Sequence, residues 1–94
     1  MKLTLRVASR YKKDQKKREK TLTKKQKEKL KIAIIMLLES SQLPEIYKDH
    51  QLTGEWDSFR ECHISPDLLL IYKIIKQTKE LLIVRLGSHS ELFK

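Results

Sequence analysis

The sequence predicts an α+β domain of β-α-α-β-β-β order, with two N-terminal helices packed on one face of a mainly antiparallel four-stranded sheet. Three observations carry this. Leu3, Leu5 and Val7 alternate with Thr4 and Arg6, the period of a half-buried strand. Leu30, Ala33, Ile34, Leu37 and Leu38 follow the i, i+3, i+4, i+7, i+8 stripe of an amphipathic helix. Three β-rich runs, Phe59–Ser65, Leu68–Ile75 and Leu81–Leu86, then close the chain. Helices gathered before a run of strands indicate α+β architecture, not a parallel α/β sheet. At 94 residues the chain makes one domain, 1–94, with a helical region at about 9–39 and a loop and sheet at about 43–94.

Each element has its own signals. Ser9 offers a cap for a first helix over Tyr11–Lys20, whose one large apolar side chain is Tyr11. Such a helix is expected to pack weakly and sit exposed. Thr23 can cap the second helix, whose first half, Lys24–Lys31, carries five lysines and stays in water. Ser40, Ser41 and Pro44 end it. Residues 43–57 show no clean period and contain Pro44 and Gly54, so they read as a long ordered loop with room for one helical turn. Pro66–Asp67 makes a tight turn between the first two of the later strands, and Lys76–Lys79 a polar turn between the next two. Those last strands, LLLIYKII and LLIVRL, are apolar enough to lie centrally, covered on at least one face by the helices.

Charge is polarised along the chain. Residues 1–31 hold 14 Lys/Arg and 3 Asp/Glu, while residues 32–94 hold 7 and 9. The net values, +11 and −2, sum to the +9 of the whole chain. A basic surface of this kind concentrates polyanions, with nucleic acid the first candidate and an acidic protein segment the second. A plain solvated helix face is the alternative. One cysteine, Cys62, excludes an intrachain disulfide and a Cys-rich zinc site. The longest apolar run, Ile32–Leu38, is seven residues, too short to cross a membrane. No secretory leader pattern is visible, so a soluble cytoplasmic protein with no membrane partner is expected.

Chemistry concentrates outside the basic third. His50 lies in the long loop, His63 near the end of the first later strand, and His89 just after the last strand. Strand ends and a loop can converge, and Asp67, four residues after His63, can join them. Glu61 shares a strand face with His63 because side chains repeat every second residue. Imidazoles exchange protons near neutral pH. Two of them with a carboxylate suffice for RNA cleavage without a metal or cofactor. One group takes the proton of the ribose 2′-OH, which attacks the adjacent phosphorus. Another protonates the leaving 5′-oxygen, and Arg60 or Arg85 steadies the phosphate. DNA, lacking the 2′-OH, is excluded as a substrate for this route.

Simpler readings stand beside this one. Each histidine can be an isolated surface residue. A zinc site is disfavoured, because spacings of 13 and 26 residues match no short metal motif. Cys62 points away from His63 and suits packing better than nucleophilic work. Trp56 and Phe59 are expected to anchor the loop, and Tyr72 to lie in a buried strand. Phe93 can stack on a base or dock on the domain.

The stretches YKDHQLTGEW (Tyr47–Trp56), FRECHISPDLLLIYK (Phe59–Lys73) and RLGSHSELF (Arg85–Phe93) resemble the YafQ-type toxins of the RelE/ParE toxin–antitoxin superfamily. The resemblance covers the C-terminal half motif by motif and the whole chain in element order. It implies a RelE-like endoribonuclease that cuts mRNA, typically in the ribosomal A site, without metal. Carried over residue by residue, it places His50, His63, Asp67 and His89 in catalysis and Phe93 on the mRNA. Arg85 and the lysine-rich helices become RNA contacts, and Arg60 and Lys48 join them as substrate-binding candidates. It also implies a cognate acidic antitoxin that wraps the toxin, and binding of operator DNA only by the toxin–antitoxin complex.

Two features depart from the pattern. Leu68 stands where some YafQ-type toxins carry tryptophan, which removes a stacking surface and bears on codon preference. The N-terminal helices are unusually lysine-rich, which fits tighter ribosomal-RNA binding or some cleavage of free RNA. Two other functions compete on the same scaffold. One is a non-catalytic ParE-like inhibitor, such as a poison of DNA gyrase. The other is a basic nucleic-acid-binding module. Neither needs imidazoles at 50, 63 and 89.

Overall fold

The computed structural model describes residues 2–93. Five strands form one mixed sheet in the order β1-β5-β4-β3-β2: β1 Thr4–Val7, β2 His50–Gln51, β3 Arg60–Ser65, β4 Leu68–Ile75 and β5 Glu80–Gly87. Three helices accompany them: α1 Ser9–Arg18, α2 Lys24–Leu38 and the short α3 His89–Leu92. The expected α+β order holds, but the sheet has a fifth strand. β2 is only two residues long and sits inside the segment read as loop, between two 3₁₀ turns at Glu45–Tyr47 and Gly54–Trp56. Two residues are too few to show a period of two, so only the pairing with β3 reveals the strand. β1 runs parallel to β5, with Thr4 opposite Glu80 and Val7 opposite Ile83, while the other pairs are antiparallel.

The apolar strands are buried on both sides. Leu68, Leu70 and Tyr72 of β4 face the helices with Cys62, Ile64, Leu81, Ile83, Ala33 and Leu37. Leu69 and Ile71 point the other way, under Leu92, Trp56, Phe59 and Phe93. Leu68 is thus a core residue, 1% exposed. Leu68 therefore offers no face to a base itself. Cys62 is fully buried, and burial pushes its thiol up to about 12, which leaves it inert at neutral pH.

α1 corrects a second expectation. Its cap is Ala8, not Ser9, and the helix is not loosely held. Tyr11 is 3% exposed, and burial with the neighbouring Asp14 charge pushes its phenol up to about 12. Asp14 accepts from Arg85 Nε at 2.8 Å and from the Leu86 backbone at 3.0 Å, which ties the helix to β5. For α2 the expected cap forms. Thr23 accepts from Gln26 N, and the Gln26 side chain accepts from Thr23 N, both at 3.0 Å. Gln26 also reaches Ser65 Oγ at 3.1 Å and so docks α2 against the end of β3. Gly54 has φ +68°, a left-handed conformation that glycine adopts at no steric cost.

Candidate active site

The short strand β2 creates the centre of the site. Its pairing puts His50 directly opposite Glu61 on β3. His63, two residues on, lies on the same face. His50 Nε2 is 3.1 Å from Glu61 Oε2, and His63 Nε2 is 3.7 Å from the same oxygen. The two rings are 6.3 Å apart between centroids. Glu61 is 4% exposed, and its other oxygen, Oε1, has no hydrogen-bond partner among the described residues. His50 Nδ1 is 2.7 Å from the Lys48 carbonyl. A carbonyl can only accept, so Nδ1 carries a proton and Nε2 is the nitrogen turned to the carboxylate. The Nε2–Oε2 contact aims His50 at the carboxylate, and His63 approaches the same oxygen at longer range.

An open groove of about 320 Å³ adjoins this cluster. It is lined by His50, Glu61, Leu52, Thr53, Trp56, His89 and Phe93, so the structure brings the third imidazole to the same cavity. Phe93 is half-buried, 4.9 Å from the His89 ring and 6.0 Å from Trp56, while Trp56 packs edge-on against Phe59 at 5.4 Å. Phe93 therefore docks on the domain and still lines the groove. His89 opens α3, a helix of four residues that cannot hold itself. Ser88 and Glu91 cap it reciprocally. Arg18 of α1 donates to Glu91, and Lys17 lies 3.2 Å from it. Gly87 permits the close return of the chain, because a Cβ there would meet Leu92 at 3.2 Å.

The Ser88 backbone N–H, with Arg18 and Lys17, pulls the Glu91 carboxyl down from 4.5 to about 2. A depressed carboxyl contributes stability that is complete above its ordinary range and lost as pH falls through the folded value. Stability is thus expected to decline between pH 4.5 and about 2. Glu91→Gln is expected to flatten that decline in urea titrations across the same window.

Asp49 was not singled out by the sequence, yet it clamps the His50 segment. It accepts from Arg60 Nη2 at 3.0 Å and from the buried Tyr72 hydroxyl. Tyr72 lies on the central strand β4, far from Asp49 in sequence, so no local pattern announces the contact. Lys48, just before it, adopts a left-handed backbone with φ 49°. Asp49→Ala takes the carboxylate acceptor from both the Tyr72 hydroxyl and Arg60 and is expected to cost about 1–3 kcal/mol. Urea unfolding measures that loss, and a shifted His50 ring signal in NMR shows whether the clamp aims the imidazole.

The other expected site residues are placed differently. Arg85 is bound to Asp14 through Nε and Nη2, with a side chain only 14% exposed. Arg60 is likewise paired, though more open. Asp67 lies exposed in the β3–β4 turn, outside the groove lining. The carboxylate that meets the imidazoles is Glu61, which the sequence placed on the right face without a role. Among the described residues, no group of three or more His, Cys, Asp or Glu side chains is arranged to hold a metal ion.

The model of the YafQ family, bacterial toxins of type II toxin–antitoxin systems, matches residues 3–94. This chain belongs to that family. The mRNA interferase toxin YafQ of Escherichia coli K12 is 42% identical over 66 residues, 69% of this chain and 70% of its own length. A metal-bound toxin from Helicobacter pylori superposes with a TM-score of 0.88 at 44% identity, covering 97% of this chain and 99% of that one. The E. coli DinJ–YafQ complex superposes with a TM-score of 0.85 at 33% identity, covering 98% and 99%. The mixed five-stranded sheet is thus the fold of YafQ structures.

Proposed function

We propose that this YafQ-family toxin is an endoribonuclease that cleaves mRNA, bound at the ribosome, by attack of the 2′-OH. The convergence of His50 and His63 on Glu61, at the rim of a groove shared with His89, carries the reading. One imidazole of the His50–Glu61–His63 cluster takes the 2′-OH proton on an unprotonated ring nitrogen, and Glu61 keeps both rings at the site. His89, set across the groove, protonates the leaving 5′-oxygen. Atoms balance: the 2′-oxygen bonds to phosphorus, the P–O5′ bond breaks, and one proton enters the site as another leaves. Phe93 and Trp56 offer faces for a base. Asp67, expected in catalysis, lies exposed at the neighbouring turn and is reassigned to substrate contact, beside the expected contact Lys48. Arg60 and Arg85 act chiefly through their carboxylate partners.

A relative crystallised as a toxin–antitoxin complex supports a cognate antitoxin for this chain. The net charge of +11 over residues 1–31 favours an acidic segment of that partner, and equally favours RNA. The deciding experiment is induced expression beside His63→Ala and His89→Ala, with primer extension on a reporter mRNA. Growth arrest with new cuts that vanish in both variants is expected. Arrest without cuts, unchanged by the substitutions, would overturn the nuclease and favour a non-catalytic inhibitor.

A further inference from the structure

A nuclease that cuts between two nucleotides must hold one on each side of the scissile phosphate. The groove of Trp56, His89 and Phe93 lies on one side of the imidazole pair. On the other side, a second cavity of about 300 Å³ is lined by Lys29, Ile46, Lys48, His63, Ser65 and Pro66. His63 lines this second cavity, while its neighbours His50 and Glu61 line the groove.

Its chemistry is that of a nucleotide site. β2 pairs only with Arg60 and Glu61, so beyond Glu61 the outer edge of β3 has no strand beside it. α2 closes the far side through the Gln26–Ser65 hydrogen bond, and Lys29 follows one turn later. The Lys29 ammonium sits 5.7 Å over the Tyr47 ring. Ile46 is 67% exposed, the most open of the large apolar side chains. Beside Pro66 it gives an apolar surface, while Lys29 and Lys48 supply positive charge. No carboxylate lines the cavity. Apolar surface flanked by two ammonium groups, next to a proton-transferring imidazole, suits a base and its phosphate.

We propose that this cavity is the second nucleotide subsite, with Ile46 and Pro66 against the base and Lys29 and Lys48 on its phosphate. The proposal rests on the nuclease reading above. Its test is NMR titration of the full chain with a fully 2′-O-methylated tetranucleotide, which cannot be cut. Backbone signals of Ile46, Lys48 and Ser65 are expected to shift together with those of Thr53, Trp56 and His89. Ile46→Ser with Lys29→Ala is expected to lower affinity about tenfold, the size of one stacked base, and to leave the groove signals responsive. Shifts confined to the groove, or unchanged affinity in the double variant, would overturn the subsite alone. No shift around His50, Thr53 or His89 would overturn the nuclease reading with it.

Discussion

Replacing His50 or His63 with alanine is expected to slow RNA cleavage about 10²–10⁴-fold, the range for loss of a positioned proton-transfer group. Affinity for a non-cleavable RNA should change little, because neither imidazole supplies most of the positive charge. Glu61→Gln is expected to slow cleavage as well. It keeps the shape of the carboxylate but removes the charge that both imidazoles face. The single alanine variants leave Glu61 one imidazole partner, at 3.1 or 3.7 Å, which protects the fold. A double replacement would strand a buried charge and destabilise the chain. Single-turnover cleavage with parallel binding measurements separates rate from affinity. Lysine substitutions in 12–31 should do the reverse, weakening binding and flattening its salt dependence with little effect on the bound rate. Full activity in both histidine variants would refute the assignment of the site.

The largest effect on stability is expected at Leu70. It is fully buried at the middle of β4, facing the helices. Leu70→Ala is expected to cost about 2–5 kcal/mol, through lost burial and the cavity left behind. For a domain of this size that lowers Tm by roughly 10–20 °C. Ile35, 45% exposed on α2, is the matched control, and its alanine variant should stay within about 0.5 kcal/mol. Thermal unfolding by circular dichroism compares the two. Equal losses would mean that the helices and sheet do not share the core described.

What the sequence shows and hides follows from the range of each interaction. The α2 stripe, the Thr23 cap and the three later strands are local patterns, and the structure has them where the periods put them. α1 is exposed as expected with Tyr11 its one buried residue, but it is held more firmly than expected, because Asp14 bonds to Arg85 across 71 residues. β2 was hidden by its length. His50, His63 and His89 stood out as residue types, and the structure brings His50 and His89 to one groove with His63 beside Glu61. Glu61 stood on the correct face, but only the pairing with β2 shows that it meets both imidazoles. Asp49 had no signal beyond its place before His50, since its partners Arg60 and Tyr72 come from two other strands.

The parallel joining of β1 to β5 also sets the order in which the molecule can assemble. Thr4 waits for Glu80, Asp14 for Arg85, and Arg18 for Glu91. These contacts each close a loop of more than seventy residues, at an entropy cost that grows only slowly with length. His89 lies beyond β5, so a chain cut short before that strand has neither a complete sheet nor a third imidazole. The proposed site therefore depends on a completed β5, since that strand leads directly into the segment that carries its third imidazole.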